Sequence, residues 1–82
     1  MDITVGNAVY SRAGRDKGEL YIVLKVEGDY VYLADGKKRR VSNPKKKKIK
    51  HLNRTNFVSD VCKNATPEDY MIRNALAEMK PI

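Results

Sequence analysis

Few side chains in this chain are of the kinds that make and break covalent bonds. Its only histidine is His51 and its only cysteine is Cys62. His51 lies inside a run of basic residues that contains no acid, so nothing local arranges a nucleophile, a base and an orienting carboxylate. His51 and Cys62 together fall short of the four ligands that a tetrahedral zinc site usually takes. The adjacent acids Glu68-Asp69 are accounted for by a helix N-terminus, where negative charge is favourable. Gly14 and Gly18 are not followed by the Gly-Lys-Ser/Thr ending of a nucleotide-phosphate loop. The inventory predicts no enzyme activity, no cofactor and no metal site.

The chemistry the chain can do is electrostatic. It carries 17 Lys+Arg against 10 Asp+Glu, a net charge of +7. Residues 37–54 hold ten of the cations and none of the acids: Lys37, Lys38, Arg39, Arg40, Lys45, Lys46, Lys47, Lys48, Lys50 and Arg54. The remainder is slightly acidic. Self-repulsion in such a segment costs stability, so its retention points to a polyanionic partner rather than to a solvated loop. Arginines such as Arg39 and Arg40 can clamp phosphates bidentately, whereas lysines act as mobile point charges. A phosphate backbone needs only cations within reach, so the expected mode is recognition of the backbone and shape of folded RNA, with His51 in the same run a surface or RNA-contacting imidazole. Lys45 to Lys48 are expected to act as one unit, all four replaceable by Gln without loss of fold. Tyr30 and Tyr32 share a strand face and offer either packing or base-stacking surfaces.

The elements that must position these residues come from one small domain, because 82 residues leave no room for a second core. The longest apolar run, Leu20-Tyr21-Ile22-Val23-Leu24, is far short of the ~20 residues of a membrane span, and the N-terminus does not read as a secretory signal. A single cysteine excludes an intramolecular disulfide. A soluble, cytoplasmic protein with no membrane partner is expected.

The first half reads as β-structure. Strands are expected at residues 8–11, 20–27 and 30–34. In the second, Leu20, Ile22, Leu24 and Val26 share one face by period two and point into the interior, with Val31 and Leu33 joining the same core. Asp35-Gly36 signals a hairpin leading into a further strand at 37–41. Ile49 and Leu52 anchor a last short strand or 3₁₀ turn. Five short strands with closely spaced turns suggest a small, strongly curved barrel. Residues 53–65 are open between a helical turn and an extended connector. Thr66 as N-cap, Pro67 at the first helical position and the acids after it start a helix that runs to Lys80 and stops at Pro81. Its stripe of Ile72, Leu76 and Met79 either packs on the domain or fills a groove in a protein partner.

The segment Gly6-Asn7-Ala8-Val9-Tyr10-Ser11-Arg12-Ala13-Gly14-Arg15-Asp16-Lys17-Gly18-Glu19-Leu20-Tyr21-Ile22-Val23 resembles a KOW motif, in which two apolar strands flank a glycine-bearing basic loop. Tyr32-Leu33-Ala34-Asp35-Gly36-Lys37-Lys38-Arg39-Arg40 and Lys48-Ile49-Lys50-His51-Leu52-Asn53-Arg54-Thr55 narrow the resemblance. They are similar to the small bacterial KOW-domain RNA-binding proteins related to a large-subunit ribosomal protein of archaea and eukaryotes. The resemblance covers residues 5–55. It implies a small SH3-like barrel; with the helix read above, which lies beyond the motif, the expected fold is mainly β, a barrel over 5–57 followed by a connector at 58–65 and a C-terminal α-helix at 66–80. It also implies binding to RNA, with ribosomal RNA or the ribosome as partner. Carried onto this chain, the RNA-contacting loop comprises Arg12, Gly14, Arg15, Lys17 and Gly18, beside the basic segment that the charge count singles out. The alternative is a KOW-type protein-interaction module that uses the C-terminal helix.

Overall fold

The computed structural model describes residues 2–63 and 65–79; Met1, the connector residue Asn64 and the expected helix end at Lys80 and Pro81 lie outside them. Five antiparallel strands form one sheet: β1 (Asn7–Ser11), β2 (Leu20–Glu27), β3 (Tyr30–Ala34), β4 (Lys45–Lys48) and β5 (Leu52–Val58), in the order β4-β3-β2-β1-β5. A 3₁₀ turn, η1 (Ile49–His51), links β4 to β5, and one helix, α1 (Asp69–Met79), follows. The fold is thus mainly β with a C-terminal helix.

The outer strands β4 and β5 do not pair with each other, so the ladder is not closed into a barrel. The sheet is nevertheless strongly curled. Laid flat, its outer strands would stand ~19 Å apart at ~4.8 Å per spacing. Only η1 joins them, and three residues of 3₁₀ turn span ~6 Å. Two backbone hydrogen bonds pin the turn at both ends: Ile49 N–H donates to Asp29 O (2.8 Å) between β2 and β3, and Arg12 N–H donates to His51 O (2.8 Å) beyond β1. The seam is therefore bridged by η1 rather than by a sixth pairing.

The expected single interior is two cores, one on each face of the sheet. Val9, Tyr21, Val23, Val31, Leu33 and Leu52 fill the inner face, with Ile3 and Ile49 against them. Ala8, Leu20 and Ile22 lie on the outer face and pack under Ile72, Ala75 and Leu76 of α1. Leu20 and Ile22 thus face the helix, not the core of Val31 and Leu33. The uninterrupted apolar run of β2 is what burial on both faces requires. A register shift between Val23 and Lys25 leaves Leu24 without a cross-strand partner and reverses the alternation beyond it. Val26 then stands opposite Val31 but at the end of the ladder, 38% exposed.

No strand forms at 37–41. The Asp35 carboxylate accepts from Lys37 N–H (2.8 Å) and Arg39 N–H (3.0 Å), satisfying amides that a ladder would otherwise use. This loop is tied to the helix instead: Arg73 Nη1 donates to Gly36 O (2.7 Å), and Val41 N–H donates to Asp69 Oδ1 (2.8 Å). Gly36 sits at φ +79° with the Asp69 carbonyl and the Arg73 side chain where a Cβ would stand, so the approach requires glycine. Residues 53–58 are extended as part of β5. The helix begins at Asp69, three residues after the expected N-cap Thr66. Ile72 N–H donates to Glu68 O (3.3 Å), and the Asp69 carboxylate is committed to the loop.

Ile72 is fully buried and Tyr70 is 55% exposed on the same helix. Ile72→Ala is expected to cost about 3 kcal/mol in urea unfolding, and Tyr70→Ala less than about 0.5 kcal/mol.

Candidate nucleic-acid interface

The β1–β2 loop is built around an acid that points inward. Gly18, at φ +90°, returns the chain so that its N–H donates to Ser11 O (2.8 Å), and Glu19 N–H donates to Asp16 O (2.9 Å). This geometry drops Asp16 into the mouth of the curled sheet. There its carboxylate accepts from Ser11 Oγ (2.8 Å), Tyr21 OH (3.0 Å) and Lys47 Nζ (2.7 Å), and pairs with Lys45 Nζ (3.2 Å). Lys47 Nζ also donates to Ala13 O (2.8 Å). Desolvation alone would raise the Asp16 carboxyl, but the bonds from Lys47, Ser11, Lys45 and Tyr21 outweigh it and hold the acid well below the ordinary carboxylate range. Burial, with the hydrogen bond to that carboxylate, pushes the Tyr21 phenol well above its usual value.

The lysine run is divided by strand register. Lys45 stands opposite Leu33 and Lys47 opposite Val31, on the inner face. Their side chains are 26% and 10% exposed, against 12% for Asp16. Lys46 stands opposite Tyr32 and Lys48 opposite Tyr30, on the outer face, and both are exposed. The four are not interchangeable, and an unaltered fold on replacing all of them no longer follows.

The same contacts unite regions that are distant in sequence. Arg12, Arg15 and Lys17 are exposed on the β1–β2 loop, with Gly14 and Gly18 shaping it. The loop is fastened to the inner face of β4 through Asp16 and to η1 through Arg12 N–H; exposed Lys46 and Lys48 lie on the other face of β4, and exposed Lys50 lies on η1. His51 is half-buried at the junction and accepts through its carbonyl. Arg54 is exposed on β5 opposite Val9. Lys37, Lys38 and Arg40 are exposed and Arg39 half-buried on the β3–β4 loop, which is bonded to α1. Residues 37–54 are therefore not one surface.

Sequence reasoning passed over Asp16 as one more residue of a basic loop, although it is the only acid between Arg12 and Gly18. It also passed over Lys25, whose ammonium lies 5.6 Å from the Tyr32 ring centre. Among the described residues no group of three or more His, Cys, Asp or Glu could hold a metal ion. No helix there is long and apolar enough to cross a membrane. No protein-family model matches the chain, and no curated protein is significantly similar to it.

Removing one partner of a buried ionic cluster leaves the others uncompensated, so Asp16→Asn is expected to destabilise the domain by about 3 kcal/mol at neutral pH. The depressed carboxyl contributes stability that is fully present above the unfolded value of ~3.9 and is lost as pH falls below it. The gap in urea stability between wild type and Asp16→Asn is expected to be constant above pH ~5 and to narrow steadily below pH ~4.

Proposed function

We propose that this protein is a noncatalytic, cytoplasmic RNA-binding module that grips the phosphate backbone along its β4 edge and works at the ribosome. The observation that carries the reading is the joining of the β1–β2 loop, with exposed Arg12, Arg15 and Lys17, to β4 and η1, which carry exposed Lys46, Lys48 and Lys50. Lysines on an outer strand also deter edge-to-edge pairing. That role does not call for the cations of the loop and of η1. The resemblance of residues 5–55 to KOW-domain RNA-binding proteins supports the same reading and supplies its ribosomal part. Burial of Ile72 and Leu76 within the domain favours it over a groove-filling helix.

Crosslinking in living cells, followed by sequencing of the attached RNA, is expected to give reads concentrated at one or a few ribosomal-RNA helices. Reads at background level would defeat the RNA reading, and scattered reads would defeat its ribosomal part. With purified ribosomal RNA, neutralising about six phosphates makes log affinity fall with log salt at a slope of about −4 to −5. The triple variant Lys46→Gln, Lys48→Gln, Lys50→Gln is expected to flatten that slope by about 2 while melting like the wild type.

A further inference from the structure

Helix α1 covers only part of the outer face. Beyond Ile22 and Ala34 the face continues as three short rows: Lys25 and Glu27 on β2, Tyr32 and Tyr30 on β3, and Lys46 and Lys48 on β4. Cross-strand register sets Lys25 and Lys46 on either side of Tyr32, and Glu27 and Lys48 on either side of Tyr30. Lys46 Nζ lies 4.7 Å from the Tyr30 ring centre and 5.8 Å from that of Tyr32, and Lys48 Nζ lies 5.8 Å from Tyr30. On the β2 side the charge is balanced, since Lys25 pairs with Glu27 (3.4 Å) and Tyr32 OH donates to Glu27 Oε1 (3.3 Å). On the β4 side it is not: among the described residues neither Lys46 nor Lys48 pairs with a carboxylate. The result is a row of two half-buried tyrosines with net positive charge along one flank only.

We infer that this Tyr30–Tyr32 row is a stacking site for unpaired nucleobases, with Lys46 and Lys48 holding the phosphates of the same strand. The inference rests on the RNA reading above and assigns to that surface a second mode, single-strand contact. Aromatic side chains beside a basic track take bases of any identity, because every base presents a π-face. Tyr30 and Tyr32 are two residues apart on one strand, ~6.7 Å along it. That is about twice the ~3.4 Å that separates successive nucleotides along one strand of a DNA duplex. The row therefore suits two neighbouring bases of an extended strand and not two neighbours within a duplex. In the free protein the Lys46 ammonium lies over both rings, an attraction of cation for ring quadrupole. A phosphate competes for that ammonium, and drawing it toward the β4 flank bares the rings for the bases.

The test compares a short oligouridine strand with a fully paired RNA duplex of equal length at one salt concentration. The variants are Tyr30→Leu, Tyr32→Leu, Tyr30→Phe and Tyr32→Phe. Leucine keeps apolar bulk without a ring, and phenylalanine keeps the ring; thermal melting shows that each variant is folded. Each leucine variant is expected to lose about tenfold in affinity for oligouridine and to keep its affinity for the duplex, while the phenylalanine variants match the wild type on both. Leucine variants that melt lower yet bind oligouridine like the wild type would assign the rings to structure and overturn the stacking site alone. Loss of both RNAs in equal measure would also overturn it. A wild type that binds neither RNA at low salt would overturn the RNA reading itself.

Discussion

Everything that surrounds the mouth of the sheet depends on where the Asp16 carboxylate sits. It is 12% exposed and accepts from Ser11 at the end of β1, from Tyr21 on β2 and from Lys47 on β4, with Lys45 beside them. Withdrawing a carboxylate and an ammonium from water is costly, and only a full set of partners offsets it. The cluster therefore fixes the loop backbone and the inner register of β4 together. β4 has a strand neighbour on one side only, β3, and the lysines reaching across to the loop give it a second attachment. With Asp16 turned inward, the exposed charge of the loop is Arg12, Arg15 and Lys17 against Glu19 alone, which leaves it net positive.

The fold sorts cations by a rule as simple as strand alternation. Four consecutive lysines form a strand whose odd-numbered members serve the interior and whose even-numbered members serve the surface. The same alternation runs through β2, where Tyr21 and Val23 fill the inner core while Leu20 and Ile22 lie beneath α1. A sheet covered on one face by its own curl and on the other by a short helix buries apolar residues at consecutive positions. The helix reaches only part of the outer face, and the uncovered part is where Tyr30, Tyr32, Lys46 and Lys48 meet.

Strand content and the helix were legible in the sequence, because β-branched runs, glycine turns and an apolar stripe are local signals. Three strands and the Ile49–Leu52 turn stand where these signals put them. The missing strand at 37–41 shows where such signals stop. Asp35-Gly36 marks a turn, but the Asp35 carboxylate bonding to the amides of Lys37 and Arg39 lengthens it into a loop, and the strand moves to Lys45–Lys48. Because the strand was expected at the wrong place, the alternation of the lysines went unread. Asp16 was illegible for a different reason: its partners Lys45 and Lys47 lie about thirty residues away in the chain, and no local pattern announces a pairing across a loop.

By itself, then, the sequence determined that the protein is a small β domain with a helix, poor in catalytic side chains and rich in clustered positive charge. Composition and short-range periodicity suffice for that, since they act through each residue's own solvation and backbone preference. The tertiary structure alone decided which cations face water. That choice depends on register, on the curl that η1 imposes on the sheet, and on one buried acid. All three arise from contacts between residues far apart in the chain, where charge density along the sequence carries no information about direction in space.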